Sequence, residues 1–272
     1  SGDELRGELL AMGVEIDPSG HRLLGRYLQA LTPKRRVRCA LSVGWAGDSY
    51  VLPDAVIGPQ AAGVIFQSGE RGHDEHSRAG DSSTGKTTAI EAACATWGGP
   101  GFRRSWRATA NGIEGAAAMF NDCLLALDEI SECDPREVGA IVYALGNGRG
   151  KQRASRSGAA RTVTRWRCAV LSSGERTIGT TMAEGGHRAK AGQSVRLLDV
   201  PAARRFGAWD TLHGFPNGPA LSDAIKRTAA THYGHAGRAY LERLTRDQRD
   251  FSEWLERIKN LPAFAADGGE GQ

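Results

Sequence analysis

Gly80, Gly85, Lys86 and Thr87 stand in the spacing G-x-x-x-x-G-K-T, and the chemistry of that spacing is phosphate binding. A glycine-rich turn that opens into a helix brings successive backbone N–H groups to phosphate oxygens, and the helix N-terminus adds partial positive charge. Gly80, Ser82, Ser83, Thr84, Gly85, Lys86, Thr87 and Thr88 form the predicted cradle. Lys86 is placed to reach the β and γ phosphates and Thr87 to give its hydroxyl to Mg²⁺. The cofactors this implies are ATP and Mg²⁺.

A second constellation lies 42 residues beyond Lys86, where the apolar run "CLLALDEI" ends in Asp128 and Glu129. Hydrolysis of a nucleoside triphosphate needs one acid for the metal and a second to polarise the attacking water, and this pair supplies both. A solvated turn is the other reading of the same two acids. The next apolar run, "RWRCAVLSSGE", ends in Ser172 and Ser173. Ser173, with Ser172 as its alternative, is the candidate to contact the γ-phosphate or the attacking water. Farther on, Arg188, Lys190 and Arg196 are candidates to stabilise transition-state charge on a neighbouring subunit's phosphate.

Between the two runs, "RGKQRASRSGAARTVTRWR" (149 to 167) holds seven cations and no acid, more positive charge than the net +4 of the whole chain. Ser157-Gly158 near its middle predicts a β-hairpin with a basic tip. Lys151, Arg153, Arg156 and Arg161 are then the candidates to track nucleic-acid phosphates, against a plain solvated loop.

The elements that must position these groups follow from periodicity. Helices are expected over Asp3 to Met12 and His21 to Leu31, then a hairpin of "RVRCALSVGW" with "SYVLP" and a strand at "AGVIF". After the loop come a helix over Lys86 to Thr96, a strand at "SWRATA", a helix at "IEGAAAMF" with Asn111 as N-cap, and a buried strand at "CLLALDEI". Asp134, Pro135 and Glu137 open a further helix to Leu145. Beyond Leu221 only helices are expected, the last carrying Phe251, Trp254, Leu255 and Ile258 as an apolar stripe read as core. Strands alternating with helices make this an α/β chain. The expected divisions are an N-terminal α+β region (1–67), a phosphate-loop ATPase core (68–218) and a C-terminal helical region (219–272).

At 272 residues, 40% of them hydrophobic and 24% charged, the chain can bury an ordinary core. Thirty-six glycines fit many turns or backbone contacts with phosphate. The five cysteines form no C-x-x-C pair and are odd in number, which argues for reduced thiols and against a disulfide framework or zinc module. No signal peptide and no apolar run near membrane-span length is visible, so a cytoplasmic location without membrane contact is expected. The start at Ser1-Gly2-Asp3 and the soft tail from Ala265 to Gln272 suggest a piece of a longer protein.

The chain resembles the family catalogued as domain of unknown function 927, found in bacteria, phages and plasmids. The matching stretches are "GWAGDSYVLPDAVIG", "GDSSTGKTTAIEAACATWGGP", "SWRATANGIEGAAAMFNDCLLALDEI", "DPREVGAIVYALGNGRGKQRASRSGAARTVTRWRCAVLSSGE" and "MAEGGHRAKAGQSVRLLDVPA". This resemblance implies an AAA+-like three-layer sheet with helices on both faces, a homo-hexamer, and an ATP-driven helicase acting on single-stranded or forked DNA of a mobile element. It also implies a relation to minichromosome-maintenance helicases. By the same resemblance the phosphate loop is Gly80 to Thr88, the Walker B acids are Asp128 and Glu129, and sensor 1 is Ser173. Arg156 lies near the tip of a pre-sensor hairpin, and Arg196 is the arginine finger.

The chain departs from the family in two places. Thirteen polar or small residues, 67 to 79, replace a longer segment that would carry an apolar helix and the central strand of the sheet. The chain also ends soon after Asn260, before the helical portion in which a second sensor arginine is expected. A nucleic-acid-binding remnant without hydrolysis is therefore the alternative reading, and a small-molecule P-loop kinase a third.

Overall fold

The computed structural model describes residues 37–66, 85–152, 163–194 and 196–262. The chain divides into two units, Ser1–Arg38 and Cys39–Gln272, and all the described residues except Val37 and Arg38 belong to the second. The helices expected before residue 32, the polar stretch 67–79, the loop residues Gly80 to Thr84 and the hairpin tip with Arg153, Arg156 and Arg161 lie outside the described residues.

Lys86 begins α1 (Lys86–Ala95), close to the predicted span. Gly85 precedes it at φ +85°, a left-handed turn that glycine adopts without strain. After α1 the chain forms β6 (Arg104–Ser105), α2 (Ala110–Met119), β7 (Leu124–Asp128), α3 (Pro135–Asn147) and β8 (Ala169–Ser172). The three strands make a parallel sheet in the order β6-β7-β8, with Ser105 opposite Asp128 and Leu127 opposite Ser172. Parallel pairing puts all three carboxyl ends at one edge, which is where the chemistry-bearing side chains gather.

The core is built around β7. Leu125, Ala126 and Leu127 are all buried, and since successive strand residues point to opposite faces, both faces of β7 are covered. Ile90 and Cys94 of α1, Ile113 and Ala117 of α2, and Val138, Ile141 and Val142 of α3 belong to the same apolar cluster. Phe102 and Phe120 meet edge to face at 4.9 Å. Trp106 is fully buried and donates its indole N–H to Ser172 Oγ at 2.8 Å, tying the two outer strands across β7.

The helix signals are mostly met. Asp134 caps α3 by accepting the Arg136 N–H at 3.0 Å, Pro135 takes the first turn, and Gly148 ends the helix at φ +64°. Glu137, expected to complete a capping box, instead accepts the first N–H of α2, from Ala110, at 3.3 Å. The cap of α2 is Thr109, which accepts the Gly112 N–H at 3.2 Å. Asn111 therefore lies inside the first turn rather than at the cap. For the same reason "SWRATA" is no six-residue strand: the ladder stops at Ser105, and Trp106 turns into the core.

Ahead of α1, β2 (Gly44–Ala46) and β3 (Ser49–Val51) form the expected hairpin, extended by β4 (Val56–Ile57). The run "RVRCALSVGW" is not one strand. Its first part gives the separate β1 (Arg38–Ala40), and bends at Leu41 to Val43 intervene. β5 (Val64–Phe66) follows a 3-10 turn.

After β8 come α4 (Ile178–Glu184), α5 (Ala191–Ser194), α6 (Gly218–Thr231), α7 (His235–Leu244) and α8 (Ser252–Lys259). The stripe expected to be core on α8 is not. Trp254 and Leu255 are 55% and 50% exposed, Phe251 and Ile258 are half-buried, and no residue of α8 is buried.

All five cysteines are free. Burial pushes the Cys94 thiol up to about 12 and those of Cys133 and Cys168 up to about 11, so they stay protonated and inert near neutral pH. Among the described residues no helix is long and apolar enough to cross a membrane.

Trp106→Ala removes both a large buried ring and the tie to Ser172. It is expected to cost about 3–5 kcal/mol, read as a lowered denaturant midpoint at unchanged slope. Trp106→Phe keeps most of the volume and costs less.

Candidate functional site

The carboxylate of Asp128 is the meeting point of four elements. It ends β7 and is half-buried, with a side-chain exposure of 17%. Its Oδ1 accepts the hydroxyl of Ser173, from the turn after β8, in a short hydrogen bond. The same oxygen lies 3.4 Å from the Thr87 hydroxyl on the first turn of α1, a long contact. Its Oδ2 accepts Arg103 Nη1 at 3.0 Å, from the segment leading into β6. The same nitrogen donates to Glu91 Oε1 of α1 at 3.1 Å. One guanidinium thus bridges two acids, all three side chains below 20% exposed.

Ser173 is set by backbone pairing as much as by its hydroxyl. Its N–H donates to Leu127 O at 3.1 Å and its carbonyl accepts the Ile130 N–H at 3.0 Å. Its Oγ also accepts the Glu129 N–H at 3.0 Å. Of the two candidate serines, the structure brings Ser173 to the acid, while Ser172 accepts the indole of Trp106.

Glu129 has φ +59°, a left-handed conformation uncommon for a side-chain-bearing residue. Such strain persists where surrounding bonds over-determine it, and it clusters at functional positions. Here the Ser173 hydroxyl fixes the Glu129 N–H, and the carboxylate accepts the N–H and hydroxyl of Ser131 at 3.3 and 2.5 Å.

Gly85 is buried, and a Cβ on it would meet Trp209 Nε1 at 3.1 Å and Ser222 Oγ at 3.3 Å. Trp209 donates to Ser222 at 2.8 Å, so the end of the loop is roofed by an indole and the first turns of α6. Next to it, Thr88 Oγ1 is fully buried with no hydrogen-bond partner among the described residues. An orphaned hydroxyl at the start of α1 fits a segment built for polar contact. For a hard cation, Thr87 and Asp128 offer the right donor type, a hydroxyl and a carboxylate on one side, leaving water and phosphate oxygens to complete an octahedron. Among the described residues no cluster of three or more His, Cys, Asp or Glu could hold a metal by itself.

Arg196 lies elsewhere. It donates to Asn147 Oδ1 from Nε at 3.2 Å and from Nη2 at 3.0 Å, and to Gly192 O at 2.5 Å. Its guanidinium sits 4.4 Å from the Tyr143 ring centre. These partners all belong to the carboxyl end of α3 and to α5, so the residue is presented at the surface. Gly146 makes room for it, since a Cβ there would lie 2.6 Å from the arginine stem. Arg188 and Lys190 are exposed on the segment between α4 and α5.

The described base of the basic stretch is antiparallel. Arg149 bridges Arg165, Gly150 N–H donates to Thr164 O at 2.9 Å, and Trp166 N–H donates to Gly148 O at 3.0 Å. Trp166 is buried and donates its indole N–H to Leu145 O at 3.3 Å. Lys151 is exposed at the start of the outgoing arm.

Sequence reasoning missed Arg103, Glu91, Trp209 and Ser222. The one available signal was the cation pair Arg103-Arg104 just before a strand expected to pair beside an acid-ended one.

A family model described as "Domain of unknown function (DUF927)" matches residues 1–81 and 77–165. The solved structure titled "SCCmec type IV Cch - active helicase" is similar with a TM-score of 0.61 and 20% sequence identity, covering 94% of this chain and 56% of that one. The likeness shows a shared fold, an α/β arrangement of parallel and antiparallel sheets with flanking helices. The chain spans just over half the length of that protein. No curated protein matches the chain at a significant level.

Ser173→Ala leaves the Glu129 N–H and one side of Asp128 without their partner. A loss of about 1–3 kcal/mol is expected, measured by urea unfolding. Ser172→Ala gives up a single bond to Trp106 and is expected to cost less.

Proposed function

The chain belongs to the family described as domain of unknown function DUF927, and from that premise we propose that it is an ATP-driven helicase or translocase motor, or the ATPase domain of one, acting on DNA of a mobile element. The observation that carries this reading is the convergence on Asp128 of a hydroxyl from the helix after the glycine-rich turn and a serine from the next parallel strand. A solvated acidic turn has no need of either. The fold shared with a protein titled an active helicase supports the same reading.

In this mechanism Gly80, Ser82, Ser83, Thr84, Gly85 and Thr88 would hold the phosphates, and Lys86 would neutralise the β and γ groups. Thr87 and Asp128 would hold Mg²⁺, which would supply charge neutralisation for the phosphates. Glu129, now held by Ser131, would orient the attacking water, and Ser173 would couple the state of Asp128 to β8. From β8 the coupling runs back through Trp166 to the arms of the 149–167 hairpin. Lys151, Arg153, Arg156 and Arg161 there contact DNA phosphates. Arg196, anchored on α3 and presented outward, completes the site of a neighbouring subunit in a hexamer. The divisions 1–67, 68–218 and 219–272 are the corresponding parts of the motor. A kinship to minichromosome-maintenance helicases belongs to the same proposal and rests on sequence resemblance alone.

A second reading has its own support. β8 is an outer strand among the described residues, with Leu171 37% exposed, where a complete phosphate-loop sheet would continue. A remnant that binds DNA through the hairpin without hydrolysis is the outcome if the loop lacks its anchor.

The two readings part in one assay. The motor reading expects ATP hydrolysis that DNA stimulates and that Lys86→Ala or Glu129→Gln abolishes; turnover equal to wild type in both variants sinks it. The remnant reading expects salt-sensitive DNA binding without turnover, lost in the Arg153→Ala, Arg156→Ala double variant and untouched by Lys86→Ala.

A further inference from the structure

A cation already sits where the proposed metal-holding acid needs one. Arg103 Nη1 lies 3.0 Å from Asp128 Oδ2 and 3.1 Å from Glu91 Oε1, and its side chain is only 13% exposed. Its guanidinium brings a positive charge to the carboxylate. Oδ1 of the same carboxylate is taken by the Ser173 hydroxyl, with the Thr87 hydroxyl in long contact at 3.4 Å. Both oxygens of Asp128 are therefore engaged by donors from this chain.

We propose that Arg103 is a built-in counter-cation that excludes free divalent metal from Asp128 and yields the carboxylate when metal arrives together with a nucleoside triphosphate. The inference rests on reading Asp128 as the metal-holding acid. Mg²⁺ dehydrates reluctantly and is usually bound through one or two carboxylates plus substrate phosphates. Against a bonded, half-buried guanidinium, the hydrated ion alone gains one carboxylate and meets like charge. A metal–triphosphate complex brings its own negative charge, and Lys86 and the start of α1 are on hand to receive it.

Glu91 is what makes the exchange reversible. When Asp128 turns to the metal, Arg103 keeps a carboxylate partner on α1 and is not stranded as an unpaired buried charge, the costly outcome for such groups. Cys94 borders the same cluster and adds no competing charge. Burial raises its thiol to about 12, an effect Arg103 opposes and Glu91 and Asp128 reinforce.

The test needs neither nucleotide nor DNA. Mn²⁺ is titrated into the full chain and the free hexaquo ion is followed by electron paramagnetic resonance, with circular dichroism confirming the fold of each variant. Arg103→Met is expected to bind Mn²⁺ at least about tenfold more tightly than wild type, since removing a positive charge a few ångströms away outweighs a tenfold change in binding. The gain should vanish in the Arg103→Met, Asp128→Asn double variant, and Arg103→Lys, which keeps the charge, should stay near wild type. Equal Mn²⁺ affinity in Arg103→Met and wild type overturns the proposal, as does a gain that survives Asp128→Asn. Should Arg103→Met fail to fold, Glu91→Gln decides instead: it removes the acid that shares Arg103 Nη1 with Asp128, so Mn²⁺ affinity should fall, and an unchanged or raised affinity overturns the idea. ATP binding by wild type in the same buffer is read separately. Its absence counts against the motor, whereas the Mn²⁺ comparison speaks only to Arg103.

Discussion

Asp128 is an acid at the end of a strand whose preceding three residues are fully buried, and the arrangement around it is dictated by the need to satisfy that carboxylate. An unpaired charge at such a depth costs several kcal/mol, whereas one held by a guanidinium and two hydroxyls is tolerated. Each donor comes from a different piece of chain, Thr87 from α1, Arg103 from before β6, and Ser173 from after β8. The carboxylate is therefore a constraint on tertiary structure. It fixes how α1 is rotated against β7 and how far β8 runs before it turns.

Ser173 transmits that constraint along the backbone. Its hydroxyl holds the Glu129 N–H, and this bond, together with the Ile130 N–H on the Ser173 carbonyl, keeps Glu129 in a left-handed conformation. The acid with the strained backbone is the one whose carboxylate rests on a neighbouring serine rather than on a charge. Two adjacent acids are thus treated differently by the fold. Asp128 is held in an ion pair with Arg103, and Glu129, among the described residues, by neutral donors.

How much of this was legible in the sequence depends on whether the signal was local. Asp128 and Glu129 announce themselves because charge ends an apolar run, and Asp134-Pro135 announces a helix because capping is decided within four residues. Thr109 outcompeted Asn111 as a cap, a contest two residues wide that composition does not resolve. Arg103 left only the faint signal of its pairing with Arg104, because Glu91 and Asp128 lie 12 and 25 residues away with no shared period. Trp209 and Ser222 were invisible for the same reason, more than 120 residues beyond Gly85. The α8 stripe shows the converse limit. Amphipathic spacing says that one face is apolar, but whether anything covers it is a property of the rest of the molecule.

The roof over Gly85 bears on the shortened stretch ahead of the loop. The glycine-rich stretch expected to bind phosphate has two ends to hold, and the polar or small residues 67 to 79 precede the first. The second end is held by packing. Gly85 is buried beneath Trp209 and Ser222, and α6 packs along α1, so the helix bearing Lys86, Thr87 and Thr88 is clamped between the sheet and the C-terminal helices. Fixing that helix also fixes Thr87 against Asp128 and Glu91 against Arg103. Thr87 and Glu91 therefore owe their placement to the packing of α1 against α6 and β7.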